Sequence, residues 1–357
     1  MNVEKKSIHH IQEFDELKDD WEVLENGIDM TAYQSFRWNR LLLQEHFNSA
    51  LADFFSEVIV YSVKEDDKTT LILPLIVQKI RNKTVWFGRS RGVYILGVGS
   101  YSDYLNAIYN EVNIAAFELL FEHLKKDFKG LIFNFTDLIE GTKFESFISE
   151  IGITAFDSAV SVAVNITKSA EEYSLSLSKH TRQNLRTAVN RMKKDNVNYE
   201  CRVVFNKITD LKTLDVLRDL HIMRIIEKNY IDTDIIHKLS SNIRIYLKKR
   251  KEIKNNIVYE SMKSMDNSVF VIVYLNNEIS GYLYGLKEGK NIRIMQNCVK
   301  TENRFYSPMF KGTYDFLIDC HTNEEVSKVD FTRGKEPYKY QLGGVETVLR
   351  QYKGKLS

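Results

Sequence analysis

The feature that most constrains this 357-residue chain is an order of elements that occurs twice. In the second half, Phe270 to Leu275 reads as a strand, Asn276-Asn277 as a hairpin turn, and Ile279 to Leu286 as the partner strand. Gly289-Lys290-Asn291 makes the next turn, Ile292 to Val299 a third strand, Pro308 to Cys320 a helix, and Val329 to Phe331 a last strand. Because a helix crosses between them, the last strand must run parallel to the third. In the first half, Val58 to Val63 and Thr69 to Val77 flank the turn Glu65-Asp66-Asp67, with Pro74 suggesting an edge or a bulge. Strand material from Thr84 to Val98, a helix from Val112 to Phe128 and the short buried strand Leu131 to Phe135 complete the same β-β-β-α-β plan. Meanders are common, so the repeat alone leaves duplication and coincidence both open.

Around these cores, Ile11 to Leu24 reads as one amphipathic helix, and a second follows Gln34-Ser35-Phe36, with Trp38 and Leu41 to Leu43 as its apolar side. Tyr173 to Lys194 reads as a long basic helix between the halves, Tyr199 to Phe205 as a strand opening the second, and Leu211 to Arg250 as helical. The length exceeds that of one compact domain. The expected fold class is therefore α/β (α+β) in two tandem domains, residues 1–165 and 166–357, each a mixed central sheet flanked by helices. Fifty basic against forty-eight acidic side chains create no global field toward nucleic acid or lipid, so local patches must carry any anion recognition. The run Lys248 to Lys254 reads as a solvated helix end or loop. No apolar stretch approaches the roughly 20 residues that span a bilayer, and Met1 to Lys6 lack an apolar signal segment, so a cytoplasmic location without membrane insertion is expected. Cys201, Cys298 and Cys320 are too dispersed for a disulfide framework or metal knuckle and read as buried thiols; the histidines form no HxxxH or HExxH pattern, so no metal is expected.

Three segments carry a family resemblance: Leu177-Ser178-Lys179-His180-Thr181-Arg182-Gln183-Asn184-Leu185-Arg186, then Tyr306-Ser307-Pro308-Met309, then Asp330-Phe331-Thr332-Arg333-Gly334-Lys335-Glu336-Pro337-Tyr338-Lys339. In order and spacing they resemble a branch of the GNAT acetyltransferases found in bacterial polysaccharide biosynthesis, the BioF2-like or CelD-like enzymes, distant relatives of the FemAB aminoacyltransferases. Fainter echoes in Gln34-Ser35-Phe36-Arg37-Trp38 and Ser102-Asp103-Tyr104 extend the likeness over nearly the whole chain. The resemblance implies two tandem GNAT-like domains, with acetyl-CoA as co-substrate of the second. It further implies an acceptor that is the amine of a nucleotide-linked amino-deoxysugar, of the dTDP-3-amino-3,6-dideoxyhexose type, used for O-antigen or capsule. The chain departs from the superfamily pattern in two places: the Q/R-x-x-G-x-G pyrophosphate loop is absent, and Met309 follows the proline where the branch has glycine.

Acyl transfer from a thioester needs a held donor, a hydrogen-bond donor to the developing oxyanion, and a neutral amine within reach. In the superfamily's plan the two central parallel strands splay and expose amides to pantetheine and thioester, which the resemblance places at Asn297, Cys298 and Val299. After Tyr306, Ser307 and Pro308 read as N-cap and first residue of a helix, followed by Met309; its free N–H groups would receive a pyrophosphate and Lys311 would add charge, although an ordinary capped helix reads the same way. Lys179, Arg182, Arg186 and Asn190 share one helix face, with Asn184 in the same segment; this is either an anionic-acceptor grip or a solvated stripe. Asp330, between Val329 and Phe331, points to the opposite face, as a candidate general base or as a structural carboxylate bonded to Arg333 or a backbone amide. Asp103 and Tyr104 are candidates for an acceptor-binding edge, and His180 for a second base, although a lone histidine in a basic helix is more often at the surface. Arg333, Lys335, Tyr338 and Lys339 cluster past the last central strand, where a parallel sheet presents its ligands; they read as contacts to acceptor or CoA phosphates, or as a solvated loop. Two rival functions share these residues: a FemAB-type transferase using aminoacyl-tRNA, against which the near-neutral charge stands, and a non-catalytic scaffold in envelope assembly.

Overall fold

The computed structural model describes residues 1–25, 27, 29–48, 56–78, 92–99, 102–111, 113–229, 257–323 and 325–356. Expected features at residues 84–91 and 230–254 therefore lie outside the described residues. The chain divides into two compact units, Met1–Ser161 with Thr347–Ser357, and Val162–Glu346.

The first unit contains β1 (Asn2–Ile8), α1 (Ile11–Asp15), α2 (Lys18–Glu22), α3 (Phe36–Phe47), β2 (Ser56–Glu65), β3 (Lys68–Gln78), β4 (Gly92–Ile95) and β5 (Ile108–Tyr109). It continues with α4 (Ile114–Asp127), β6 (Ile132–Ile139), α5 (Lys143–Glu150) and most of β7 (Thr154–Asn165). Its strands lie in the order β1-β2-β3-β4-β6, followed by the chain's final strand (Val345–Gly354) and β7. Three antiparallel strands precede α4, and β6 runs parallel to β4, so the repeated plan is present. Asn113 caps α4, accepting from the Ala116 amide at 3.1 Å, and the helix buries Phe117, Leu120, Phe121 and Leu124 against the sheet. The segment expected as one helix over Ile11–Leu24 is two short ones. Phe14 stacks on Phe36 at 4.8 Å and Trp21 meets it edge-on at 6.2 Å, so packing onto α3 overrides the helical period. Pro74 sits in an interior strand rather than at an edge. Its carbonyl accepts from Leu96, one residue past the end of β4, so its missing N–H falls where the ladder stops.

The second unit takes the end of β7 and continues through α6 (Ala170–Ser176), α7 (Lys179–Lys194), β8 (Tyr199–Phe205), α8 (Leu211–Asn229), α9 (Ile257–Ser264), β9 (Ser268–Leu275) and β10 (Glu278–Glu288). Then come β11 (Asn291–Val299), α10 (Pro308–Thr322), β12 (Lys328–Arg333) and α11 (Pro337–Gln341). The strand order is β7-β12-β11-β10-β9-β8, with β11 and β12 parallel. Asn276 and Asn277 both take the left-handed conformation that the tight hairpin demands, with φ of 51° and 67°. Helix α10 lies close on the sheet because of Gly312, where a Cβ would come within 2.4 Å of Val273 Cγ2. The expected helix 173–194 breaks at Leu177-Ser178. Leu177 is extended and buried, and Ser178 accepts from the Thr181 amide at 3.0 Å to start α7. The end of the chain, placed by the expected boundary in the second domain, forms a final strand that was not expected and that pairs with β6 in the first unit.

Candidate functional site

In the second unit, β11 is the strand that opens. It pairs with β12 only at Asn291/Lys328, Ile292/Val329 and Arg293/Asp330. On its other edge the register with β10 shifts between Gly285/Ile294 and Tyr284/Gln296, so Met295 is an extra residue. Such a bulge reverses the alternation of the strand. Before it, Ile292 and Ile294 face the core under α10; after it, Val299 does so, while Gln296 and Cys298 face His221 of α8 on the other side. The Lys300 amide donates to Ser280 O at 2.8 Å, which fixes the amides of Gln296 and Cys298 toward β10. Those of Asn297 and Val299 consequently face the side from which β12 has parted. Cys298, expected among the exposed amides, is the exception: its amide faces β10 and its thiol lies 3.9 Å from His221 Nδ1.

Several groups surround this gap. Tyr338 of α11 bonds the Asn297 side chain, and burial, partly offset by that bond, pushes its phenol up to about 12. Arg224 of α8 donates to the Asn297 carbonyl from the other face. Burial opposes ionisation of Glu336, yet the hydrogen bond and charge of Lys339 prevail and hold its carboxyl below the usual range. His221 is driven to about 4 by burial and by Arg224, and Cys298 is pushed up by burial, so both are neutral near pH 7. Thr332, at the end of β12, adopts φ 53°, a strained conformation for a β-branched residue. It is held by the Asp330 carboxylate on its amide at 2.8 Å and by its own hydroxyl on Ile294 O at 2.9 Å. Helix α10 begins at the same end of β11. Ser307 and Pro308 stand at the N-cap and first position of the helix, as expected, but Ser307 takes the left-handed conformation (φ 49°) and its side chain makes no cap bond, so the amides of Met309 and Phe310 lack a side-chain cap.

The other expected site residues have structural partners. Asp330 points to the face opposite the α10 core, as expected, but is an ion-paired carboxylate: its Oδ2 accepts from Arg293 at 2.8 Å, with a side-chain exposure of 3%. The partner anticipated from sequence, Arg333, is a different residue; the anticipated backbone amide is that of Thr332. Lys339, only 2% exposed, donates to the carbonyls of Arg333 and Gly334 at 2.9 and 3.1 Å and pairs with Glu336, so it braces the turn after β12 instead of meeting phosphate. Lys335 is exposed and lies 3.5 Å from Glu346. Lys311 is paired with Asp315 beneath Tyr199 and Tyr314, so its charge is already engaged. Tyr306 donates to Asp195, and the Met309 side chain is buried in the core. On α7, Arg182 Nη1 donates to Leu175 O and Leu177 O, both at 2.7 Å, capping the end of α6. Lys179, His180 and Arg186 are exposed on that helix, and Asn184 Nδ2 lies 3.2 Å from His180 Nε2. In the first unit, Asp103 accepts from Tyr33 at 3.4 Å, and Tyr104 is 1% exposed, which leaves it no surface for an acceptor. The corresponding opening of that unit, past Val93/Phe133, is met by its own chain: the Leu105 amide donates to Asp137 O at 3.1 Å. Sequence reasoning missed His221 and Arg224, whose spacing of three on one helix face was the available signal, and Glu336.

No functionally curated protein matches the sequence. The whole chain superposes on a conserved protein of unknown function from Bacteroides thetaiotaomicron VPI-5482, with a TM-score of 0.54, 13% identity and full coverage of both chains. It superposes on FemX with a TM-score of 0.53 and 12% identity, over 99% of this chain and 98% of that one. At such identity the likeness is one of fold. Residues 252–340, which contain the bulged strand, α10 and the turn after β12, match the family described as an acetyltransferase (GNAT) domain. The chain is thus mixed α/β in two units that share one order of elements, and residues 252–340 of the second are similar to an acetyltransferase (GNAT) domain.

Proposed function

We propose that the second unit transfers an acyl group from a CoA thioester to an amine. The observation that carries this reading is the opening of β11: a bulge at Met295 leaves the amides of Asn297 and Val299 turned toward a gap bordered by the Tyr338 hydroxyl. Amides fixed in a strand supply oxyanion stabilisation without reorganisation when a carbonyl oxygen becomes tetrahedral and negative. As the amine nitrogen bonds to the carbonyl carbon, the carbon–sulfur bond breaks and the sulfur leaves as thiolate. A phenol that stays protonated until about pH 12 is placed to donate to that thiolate rather than to act as base. The surplus proton of the amine goes to water, because Asp330 is committed to Arg293 and Thr332. The uncapped amides at the start of α10 suit the CoA pyrophosphate.

For the acceptor, the sequence resemblance favours a nucleotide-linked amino sugar in surface-polysaccharide synthesis, and the exposed Lys179 and Arg186 on α7 are compatible with an anionic acceptor. The test is thiol release from acetyl-CoA over a panel of dTDP- and UDP-linked amino sugars, with mass spectrometry of products. A gain of one acetyl group on one panel member supports the reading. Aminoacyl transfer from charged tRNA, without turnover of acetyl-CoA, would replace it with the FemAB-type alternative.

A further inference from the structure

Strand β8 ends the sheet of the second unit: it pairs with β9 on one side and with no strand of the described residues on the other. Its ladder fixes what the open edge presents. The Asn276 amide donates to Asn198 O at 2.8 Å, so alternation turns the N–H and C=O groups of Glu200, Arg202 and Val204 toward β9. Those of Tyr199, Cys201, Val203 and Phe205 consequently face outward. The side chains alternate as well. Tyr199, Cys201 and Val203 lie on the α10 side, where Tyr199 donates to Asp315 at 2.7 Å. Glu200 and Arg202 lie on the other face, bonded to each other at 2.5 and 3.0 Å, with the guanidinium 4.7 Å above the Tyr274 ring. Open edges are commonly guarded by lysine, proline or a bulge. The sequence of β8, YECRVVF, has neither residue, and its ladder runs without a bulge.

We propose that a second copy of this chain pairs with β8, antiparallel and about a two-fold axis through Cys201, so that the sheet continues from one protomer into its partner. A two-fold partner presents the same strand, so only the register is free, and the charges select it. Centred on Cys201, Glu200 of each copy stands opposite Arg202 of the other, in non-hydrogen-bonded positions where facing Cα atoms approach to about 4.5 Å and side-chain charge counts most. Centring on Glu200 or on Arg202 sets like charge on like, and centring on Val203 leaves the charges unmatched. The same register places Tyr199 against Val203, an aromatic against a β-branched side chain. The outward groups of Tyr199, Cys201 and Val203 then form about six backbone hydrogen bonds, two for each facing pair. The bond that Glu200 and Arg202 make within one strand is extended into a ring of four alternating charges. This contact is independent of the acyl-transfer reading.

The experiment is sedimentation of the full chain across about 1–100 μM, which should show a monomer–dimer equilibrium, since a contact of this size falls in the transient class. Glu200→Arg and Arg202→Glu, each alone, set like charges opposite each other twice per dimer and should weaken dimerisation at least about tenfold. Mixed in equal amounts, the two singly substituted chains should form a heterodimer, because every facing pair is again opposite in charge. Damage within each chain would not be repaired by mixing. Val203→Pro removes an outward N–H and leaves the bonds to β9 in place, so it should abolish the dimer with circular dichroism unchanged. A parent chain that stays monomeric throughout, a dimer unchanged by these substitutions, or substituted chains that fail to pair on mixing overturns the proposal.

Discussion

Asp330 and Arg293 form a buried pair whose two charges satisfy each other, with Glu288 on the far side of the guanidinium at 2.8 Å. Removing the Asp330 charge leaves the guanidinium paired with Glu288 but takes the charged acceptor from the Thr332 amide, at a cost of about 1–3 kcal/mol. Asp330→Asn should therefore lower the urea midpoint of unfolding markedly, while the folded fraction keeps most of its turnover; full stability with a hundredfold loss in kcat would restore Asp330 as the base. Tyr338→Phe should do the reverse, with kcat falling about 100-fold at unchanged stability and unchanged KM for acetyl-CoA. His221 gives a pH signature. Its folded pKa of about 4 lies below the unfolded value of 6.5, so the folded state resists its protonation. The stability it contributes is complete above pH 6.5 and is lost as pH falls from 6.5 toward 4, a loss on the order of 2 kcal/mol between pH 7.5 and 4.5. Urea unfolding at the two pH values should show that loss, and His221→Gln should shrink it. At this scale the sequence was a weak guide. Residue type revealed that Arg182, Lys311 and Lys339 are cationic, but not that a helix end, Asp315 and a turn of carbonyls already hold them. Long side chains find their partners through tertiary geometry that spacing does not encode.

Among the elements, β11 and α10 decide whether there is a site at all. The bulge at Met295 converts a parallel ladder into an opening, and Gly312 holds α10 against β9. Gly312→Ala should cost about 2 kcal/mol by overpacking and should raise KM for acetyl-CoA by shifting the start of α10, measurable by thermal unfolding and steady-state kinetics. The strands and the crossing helix were legible in advance, because Asn276-Asn277, Gly289 and Pro308 mark their ends chemically. The break at Leu177-Ser178 was not read, although Ser178 and Thr181 carry a capping pattern; a helical period ran across it and hid the stop. Nor does a bulge leave a composition signal at Met295, since it arises from pairing with β10.

Over the whole molecule, the repeated plan was readable because each copy is built from neighbours in sequence. The final strand was not, since it returns from the far end of the chain to pair with β6, and β1 and β7 were missed for the same reason. Deleting residues 347–357 removes the buried Leu349 and Tyr352 and unpairs one edge of β6, a loss of roughly 4 kcal/mol from side-chain burial alone. Limited proteolysis should then cut first within residues 1–161. Among the described residues no helix is long and apolar enough to cross a membrane. Whether the opened edge of β11 holds a CoA thioester is decided by titrating acetyl-CoA into the full chain and by comparing its turnover with that of Val299→Pro. The proline deletes an amide that makes no bond to β10. We predict one saturable site in the parent chain and, in the variant, turnover reduced at least about 100-fold with the fold retained; absence of saturable binding, or undiminished turnover in Val299→Pro, would contradict it.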